Sequence, residues 1–253
     1  DGDGDTAQDS FDVTVKPVTF VDPEIGKGSS GPRVNEAGLD TGSIKGSNAG
    51  DGSADTGWID LPLPDGATGF TTGDYPGKYG TLTVRDNGDG TYSFKYELTK
   101  THDDADGQGP NVAYDADTIQ IIATDDKGNT GPVTVHVDIV DDVPSVDAGA
   151  QDVGTGSVIS GVLDVVGGAD GLASLTINGV EVINSSDQNR VTLPDGNGGT
   201  LTVWNDNGTI RYEYTAKDNT EVTSQVTDSF TVVATDGDGD TAQDSFDVTV
   251  KPV

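Results

Sequence analysis

The stretch Asp228–Val250, DSFTVVATDGDGDTAQDSFDVTV, places two runs of alternating apolar residues on either side of an acidic, glycine-rich turn. Phe230, Val232 and Ala234 recur at every second position, as do Phe246, Val248 and Val250. A period of two is that of a strand with one buried face. The intervening TDGDGDTAQD carries the residues that close a hairpin. The same pattern occurs upstream: Ile119, Ile121 and Ala123 lie in DTIQIIATD, TDDKGNTG follows, and Val133, Val135 and Val137 continue the alternation.

Repetition extends further out. GTLTV occurs at Gly80 to Val84 and again at Gly199 to Val203, each followed by a turn, DNGDGT at Asp86 to Thr91 and NDNGT at Asn205 to Thr209. No stretch has sustained helical spacing. About seven short strands per unit, with turn signals about every ten residues, predict an all-β chain of two tandem immunoglobulin-like antiparallel β-sandwich domains. The acidic, Pro-containing VDIVDDVP places the boundary near Val140 to Ser145. Residues 1–18, DGDGDTAQDSFDVTVKPV, recur unchanged as 236–253. That identity predicts one period of a tandem array, with 1–18 the last strand of a preceding repeat, 19–142 a first module and 143–253 a second. Residues 40–57 and 102–111, polar and glycine-rich, are expected to be loops.

The formal charge of -31, from 13 Lys plus Arg against 44 Asp plus Glu, argues against nucleic acid and anionic bilayers as partners. No apolar run approaches the roughly 20 residues that cross a bilayer. Neighbouring repeats of the same polypeptide are the expected partners, and the chain is expected to be monomeric. With no Cys, a disulfide framework is excluded, and some other staple is expected. His102 and His136 are the only histidines and no G-x-S-x-G occurs, so the residues support no catalytic arrangement and the expectation is not an enzyme.

Asp236, Asp238 and Asp240 have the D-x-D-x-D spacing by which alternate carboxylates converge on one oxygen-loving cation. Thr241 stands where an EF-hand loop has Gly and no Glu follows at the twelfth position, so the geometry is a different one. The turn between the last two strands lies where the chain enters a sandwich. These residues should therefore face Asp141, Asp142 and Asp147 at the joint, together with Asp103, Asp104 and Asp106 from the exit pole of the first module. So much negative charge calls for bridging cations, and calcium ions shared across the joint are expected. By the same logic Asp125, Asp126 and Asn129 should meet Asp22, Glu24 and Glu36 at the entry joint, with Asp1, Asp3 and Asp5 repeating the acidic turn. Asp86, Asp89 and Asp206 read as turn residues, His102 and His136 as solvated side chains, and Trp58 and Trp204 as residues packed on a sheet face or module edge.

The ordered series GTLTV, DNG, YEY, DSF and ATDGDGDT, with ISGVLDVVGGADGLASLTINGVEV at Ile159 to Val182, resembles the VCBS-type and bacterial immunoglobulin-like repeats of giant RTX adhesins over most of both modules. The resemblance implies a calcium-stiffened extender, secreted by Gram-negative bacteria in one step to the cell surface, that holds a ligand-binding tip away from the cell for attachment or biofilm formation. The nonapeptide GGxGxDxUx of RTX proteins is absent, which fits a central extender segment. Two alternatives stay open. One is a calcium-dependent carbohydrate or surface-binding module built on residues 40–57 with Trp58 at its edge, and the other is a spacer attached to an enzyme.

Overall fold

The computed structural model describes residues 23–29, 31–102 and 107–253. Its only helical element among the described residues is a 3-10 turn, Glu36–Gly38. The rest is β-structure arranged as two pairs of sheets, each pair enclosing its own apolar core.

The first pair is built from β1 (Glu24–Ile25), β2 (Arg33–Asn35), β3 (Ile59–Leu61), β4 (Gly69–Phe70), β5 (Gly73–Pro76), β6 (Gly80–Asp86), β7 (Tyr92–Leu98), β8 (Val112–Thr124) and β9 (Thr130–Val140). One sheet runs β1-β9-β8-β4 with β2 also on β9, and the other runs β3-β7-β6-β5. The second pair is built from β10 (Ser145–Asp147), β11 (Ala150–Gly154), β12 (Val158–Val166), β13 (Leu172–Ile177), β14 (Val180–Glu181), β15 (Val191–Thr192), β16 (Gly199–Asp206), β17 (Thr209–Ala216), β18 (Val226–Asp236) and β19 (Thr241–Lys251). Its sheets run β10-β12-β17-β16-β15 and β11-β19-β18-β13-β14.

Both sandwiches are immunoglobulin-like, with one modification of the antiparallel expectation. The entering chain pairs in parallel with the last strand: β1 and β2 lie along β9, and β11 lies along β19. A chain that enters and leaves at opposite poles runs in one direction at both ends, so its first and last strands can pair only in parallel.

The alternating residues face inward as their period requires. Phe230 lies opposite Phe246 and Ala234 opposite Ala242 in the β18–β19 ladder, and Ile119 lies opposite Val135 and Ile121 opposite Val133 in β8–β9. Phe230, Phe246, Val248 and Val250, like Ile121, Val133 and Val135, are buried. Each such side chain is worth about 1.5–3 kcal/mol on burial. Tyr212 stacks on Phe246 at 4.7 Å between ring centroids.

The repeated GTLTV and YEY motifs have a shared structural reason. Tyr96 and Tyr214 are fully buried and their hydroxyls donate to the buried carboxylates of Asp117 and Asp228, each at 2.7 Å. These carboxylates also accept backbone N–H groups, from Lys78 and Tyr79 in the first sandwich and Gly198 in the second. Gly80 and Gly199 open the GTLTV strands because a Cβ at either would lie 2.6 Å from the buried tyrosine ring.

His136 departs from its expected solvated position. It is buried on β9, with Glu24 Oε1 3.6 Å from Nε2 and Asp115 Oδ1 3.4 Å from Nδ1, because the β1–β2 segment crosses the face that alternation alone would leave open. The ring of His102 likewise packs against Tyr79, 4.7 Å between centroids.

Candidate metal centre at the joint

The chain between the sandwiches is short: β9 ends at Val140 and β10 begins at Ser145. Opposite ends of the two cores therefore abut. Ala169, in the β12–β13 loop of the second sandwich, is buried within the apolar cluster of the first. Gly168, at φ 67°, lets that loop approach, since a Cβ there would lie 2.5 Å from the carbonyl oxygen of Asp142.

Four chain segments bring carboxylates to this place. The parallel pairing of β2 with β9 sets Asn35 beside Val140, so Glu36 emerges next to Asp141. Asp170 comes from the β12–β13 loop, and Asp236, Asp238 and Asp240 from the β18–β19 turn. Oxygens of Glu36, Asp141 and Asp170 all lie within 4.8 Å of one another. Glu36 is 0 % exposed, Asp236 1 % and Asp240 3 %.

The hydrogen bonds satisfy only part of this charge. Glu36 Oε1 accepts from the His102 backbone N–H at 2.5 Å, whereas its buried Oε2 has no partner. Asp236 Oδ1 accepts from the N–H groups of Gly239 and Asp240, at 3.1 and 2.7 Å, and Oδ2 has none. Asp141 Oδ1 and both side-chain oxygens of Asp238 are buried without hydrogen bonds. Among the described residues, Glu36, Asp141, Asp236, Asp238 and Asp240 take part in none of the ion pairs with Lys, Arg or His.

The electrostatic consequence is a set of carboxyls that resist ionisation. Burial, reinforced by Asp170, Asp141 and Asp238, pushes Glu36 up to about 8 against the pull of the His102 N–H. Burial and the charge of Asp238, with a hydrogen bond that the protonated Asp141 carboxyl donates to Asp240, push Asp141 up to about 8. Burial and Asp238 push Asp236 up to about 7. An all-oxygen donor set with buried, unpartnered carboxylate oxygens is the chemistry of a hard divalent cation, which takes about 6–8 oxygen ligands.

The structure redistributes the other candidates. Glu36, expected at the entry pole, lies at the joint, since a strand parallel to β9 ends where β9 ends. Asp142 turns away from the cluster: Oδ2 accepts from the Ser47 N–H at 2.7 Å and Oδ1 from the Ser47 hydroxyl at 2.5 Å, which ties the 40–57 loop to the joint. Asp147 is exposed on β10, opposite Asp164 of β12. Asp125 spends both oxygens inside its own hairpin, accepting from Lys127 N and Asn129 N at Oδ1 and from Asn129 Nδ2 at Oδ2. Asp126 is exposed. Glu24 pairs with Lys27 at 2.7 Å. Asp1, Asp3, Asp5, Asp22, Asp103, Asp104 and Asp106 lie outside the described residues. Asp86 and Asp89 cap turn N–H groups and Asp206 pairs with Arg211.

Sequence reasoning missed Asp170. Its signal was the GGADG turn between two strands, because the β12–β13 loop reaches the same pole as the last hairpin, where Asp170 lies against Gly237. Trp58 and Trp204 each carry an arginine guanidinium over the ring, Arg85 and Arg190, both at 3.8 Å from the centroid. A face so covered is not open to a sugar.

No family model matches the chain, and no curated protein matches it. Solved structures with similar architecture include protocadherin gamma B7 extracellular cadherin domains 1–4 (17 % identity, 93 % of this chain and 51 % of that one, TM-score 0.29). A chimeric titin Z1Z2–Z1Z2 tandem matches at 13 % identity over 71 % of this chain and 92 % of that one, with TM-score 0.29. The tandem Ig repeats of Dlar match at 12 % over 78 % and 98 %, with TM-score 0.27. The chain spans about half the length of the protocadherin fragment. The architecture stated above rests on the chain's own sheets and cores.

Proposed function

We propose that the chain is a length-setting segment of a bacterial surface adhesin, in which calcium at the joint locks consecutive sandwiches into a stiff rod. The observation that carries this reading is the set of buried, unpartnered carboxylate oxygens drawn from both sandwiches onto one place: Glu36 and Asp141 from the first, Asp236 and Asp238 from the second. Such a group is costly unless a cation compensates it. Glu36, Asp141, Asp170, Asp236, Asp238 and Asp240 would hold the ion. A bound divalent cation would supply the positive charge that these carboxylate oxygens coordinate. Because the ligands belong to both sandwiches, binding energy becomes joint rigidity. A single site at ten times its Kd adds about 1.4 kcal/mol to the state that binds. The repeat of residues 1–18 at 236–253 and the resemblance to RTX adhesin repeats support the extender role and a location at the cell surface.

Small-angle X-ray scattering and calcium counting on the whole chain test the reading together. Calcium should bind with mM or tighter affinity, and chelation should broaden the distribution of inter-sandwich distances. Glu36→Gln with Asp141→Asn should remove the response. An unchanged scattering profile and thermal midpoint on chelation at physiological salt would sink it.

A further inference from the structure

The sandwiches are also joined by a contact made by a neutral side chain. Gln108 lies in the β7–β8 connection of the first sandwich and its amide straddles the β18–β19 turn of the second. Its Nε2 donates to the Gly239 carbonyl at 2.8 Å, and its Oε1 accepts from the Thr241 N–H at 2.9 Å and the Thr241 hydroxyl at 2.8 Å. The next residue adds to the hold: Gly109 N–H donates to both carboxylate oxygens of Asp240, at 3.2 Å each. Two positions further on, the Asn111 carbonyl accepts from the Asp141 N–H at 2.9 Å.

One short loop thus grips a carboxylate residue on each side of the joint. We propose that Gln108 is a metal-independent latch, a positioning residue that docks the β18–β19 turn onto the first sandwich before any cation binds. The chemistry of the side chain suits the task. A neutral amide offers a donor and an acceptor at once, so it can bond the carbonyl on one side of Asp240 and the N–H on the other. A lysine there could bond only carbonyls and carboxylates, and a carboxylate only N–H and O–H groups, while adding charge to an already acidic joint.

The consequence is energetic. Carboxylates that repel one another would swing the sandwiches apart in the absence of metal. A latch that keeps Asp236, Asp238 and Asp240 opposite Asp141 removes the ordering cost from the binding step, and a fractionally populated competent state weakens apparent affinity by that fraction. The positioning half of this inference rests on the calcium reading above, whereas the latch itself does not.

The chain contains no Cys, so one spin label per sandwich can be placed through Gln120→Cys and Ser160→Cys, both at exposed strand positions. Electron–electron distance distributions, measured with excess EGTA and with saturating calcium, read the joint directly, and calorimetric titration with calcium chloride reads affinity. Gln108→Ala should broaden the EGTA distribution about twofold and raise the half-saturating calcium concentration about fivefold. At saturation it should regain the unsubstituted distribution. Thermal unfolding should be unmoved, because Gln108 is exposed. Thr241→Val, which deletes one bond from the opposite side, should move both readouts the same way by less. Equal EGTA widths, or equal half-saturation, would overturn the proposal. If the unsubstituted chain binds no calcium, the rod mechanism falls while the EGTA comparison still decides the latch.

Discussion

Asp141 is the residue on which the joint turns, because its carboxyl feels both halves of the cluster: Asp236, Asp238 and Asp240 of the second sandwich raise it, and it in turn raises Glu36 of the first. Replacing it by Asn keeps the shape and removes the charge. In excess chelator Asp141→Asn should raise the thermal midpoint by a few °C, since less than about 1 kcal/mol of relieved repulsion suffices for that. In calcium it should weaken binding at least about tenfold, as a direct oxygen ligand becomes neutral. Opposite movements in the two conditions mark a ligand; a drop in both would mark an ordinary structural residue. Tyr214 gives a contrasting case. Its hydroxyl bonds the buried Asp228, so Tyr214→Phe leaves that carboxylate with only the Gly198 N–H and should cost about 1–3 kcal/mol by urea denaturation, with no change in calcium affinity.

The two hairpins that close the sandwiches share an alternating apolar frame and differ in their turns. Asp125, just past β8, and Asp236, the last residue of β18, both cap the turn through Oδ1, but in the first hairpin Asn129 Nδ2 fills Oδ2. In the second hairpin the position of Asn129 is taken by Asp240, a residue with no donor, so Oδ2 of Asp236 is left bare. Hydrogen bonding to Asn129, the largest cause, holds the Asp125 carboxyl below its ordinary value, whereas burial drives Asp236 up. Asp125→Ala should therefore destabilise the first sandwich and leave calcium binding intact, while Asp236→Ala should abolish it. Domain-resolved hydrogen exchange and calcium titration separate the two, and loss of calcium binding in Asp125→Ala would refute the distinction.

This pair also shows what was legible in the residues. Period two in Phe230–Ala234 and Phe246–Val250 suffices for the strands, and the DGDGD turn suffices to single out Asp236, Asp238 and Asp240. The partners of that turn depend on which pole each loop reaches. The parallel pairing of β2 on β9 delivers Glu36 to the joint, and the β12–β13 loop delivers Asp170. GGADG marks an acidic turn, but neither it nor VNEAGL carries a local sign of the pole it will reach. Burial of His136 was hidden for the same reason, since alternation reports one face of a strand and not what crosses the other.

At the scale of the molecule, the proposed calcium site would make protons and calcium competitors for the same joint in a chain of formal charge -31. Glu36 and Asp141 are held near 8 and Asp236 near 7, against ordinary values of 4.5 for Glu and 3.8 for Asp. Carboxyls raised on folding bind more protons in the folded state than in the unfolded one. Their contribution to stability is complete below their ordinary values and is lost as pH climbs through 7 to 8. Without metal, the thermal midpoint should therefore fall from about pH 4 to about pH 8 and level off above it. Calcium binds the ionised form, so it should flatten that slope, and its binding near pH 7 should expel protons. Differential scanning calorimetry across this range, in excess chelator and in calcium, reads the slopes. Calcium titrations in two buffers of different ionisation enthalpy count the protons released. A midpoint that is flat with pH in chelator, or calcium uptake without proton release at pH 7, would mean that the buried carboxyls are not where the cation goes. Tighter calcium binding at pH 8.5 than at pH 6.5 is the matching result, and under the proposed function it would make the stiffness of the rod depend on both the calcium and the acidity of the surroundings.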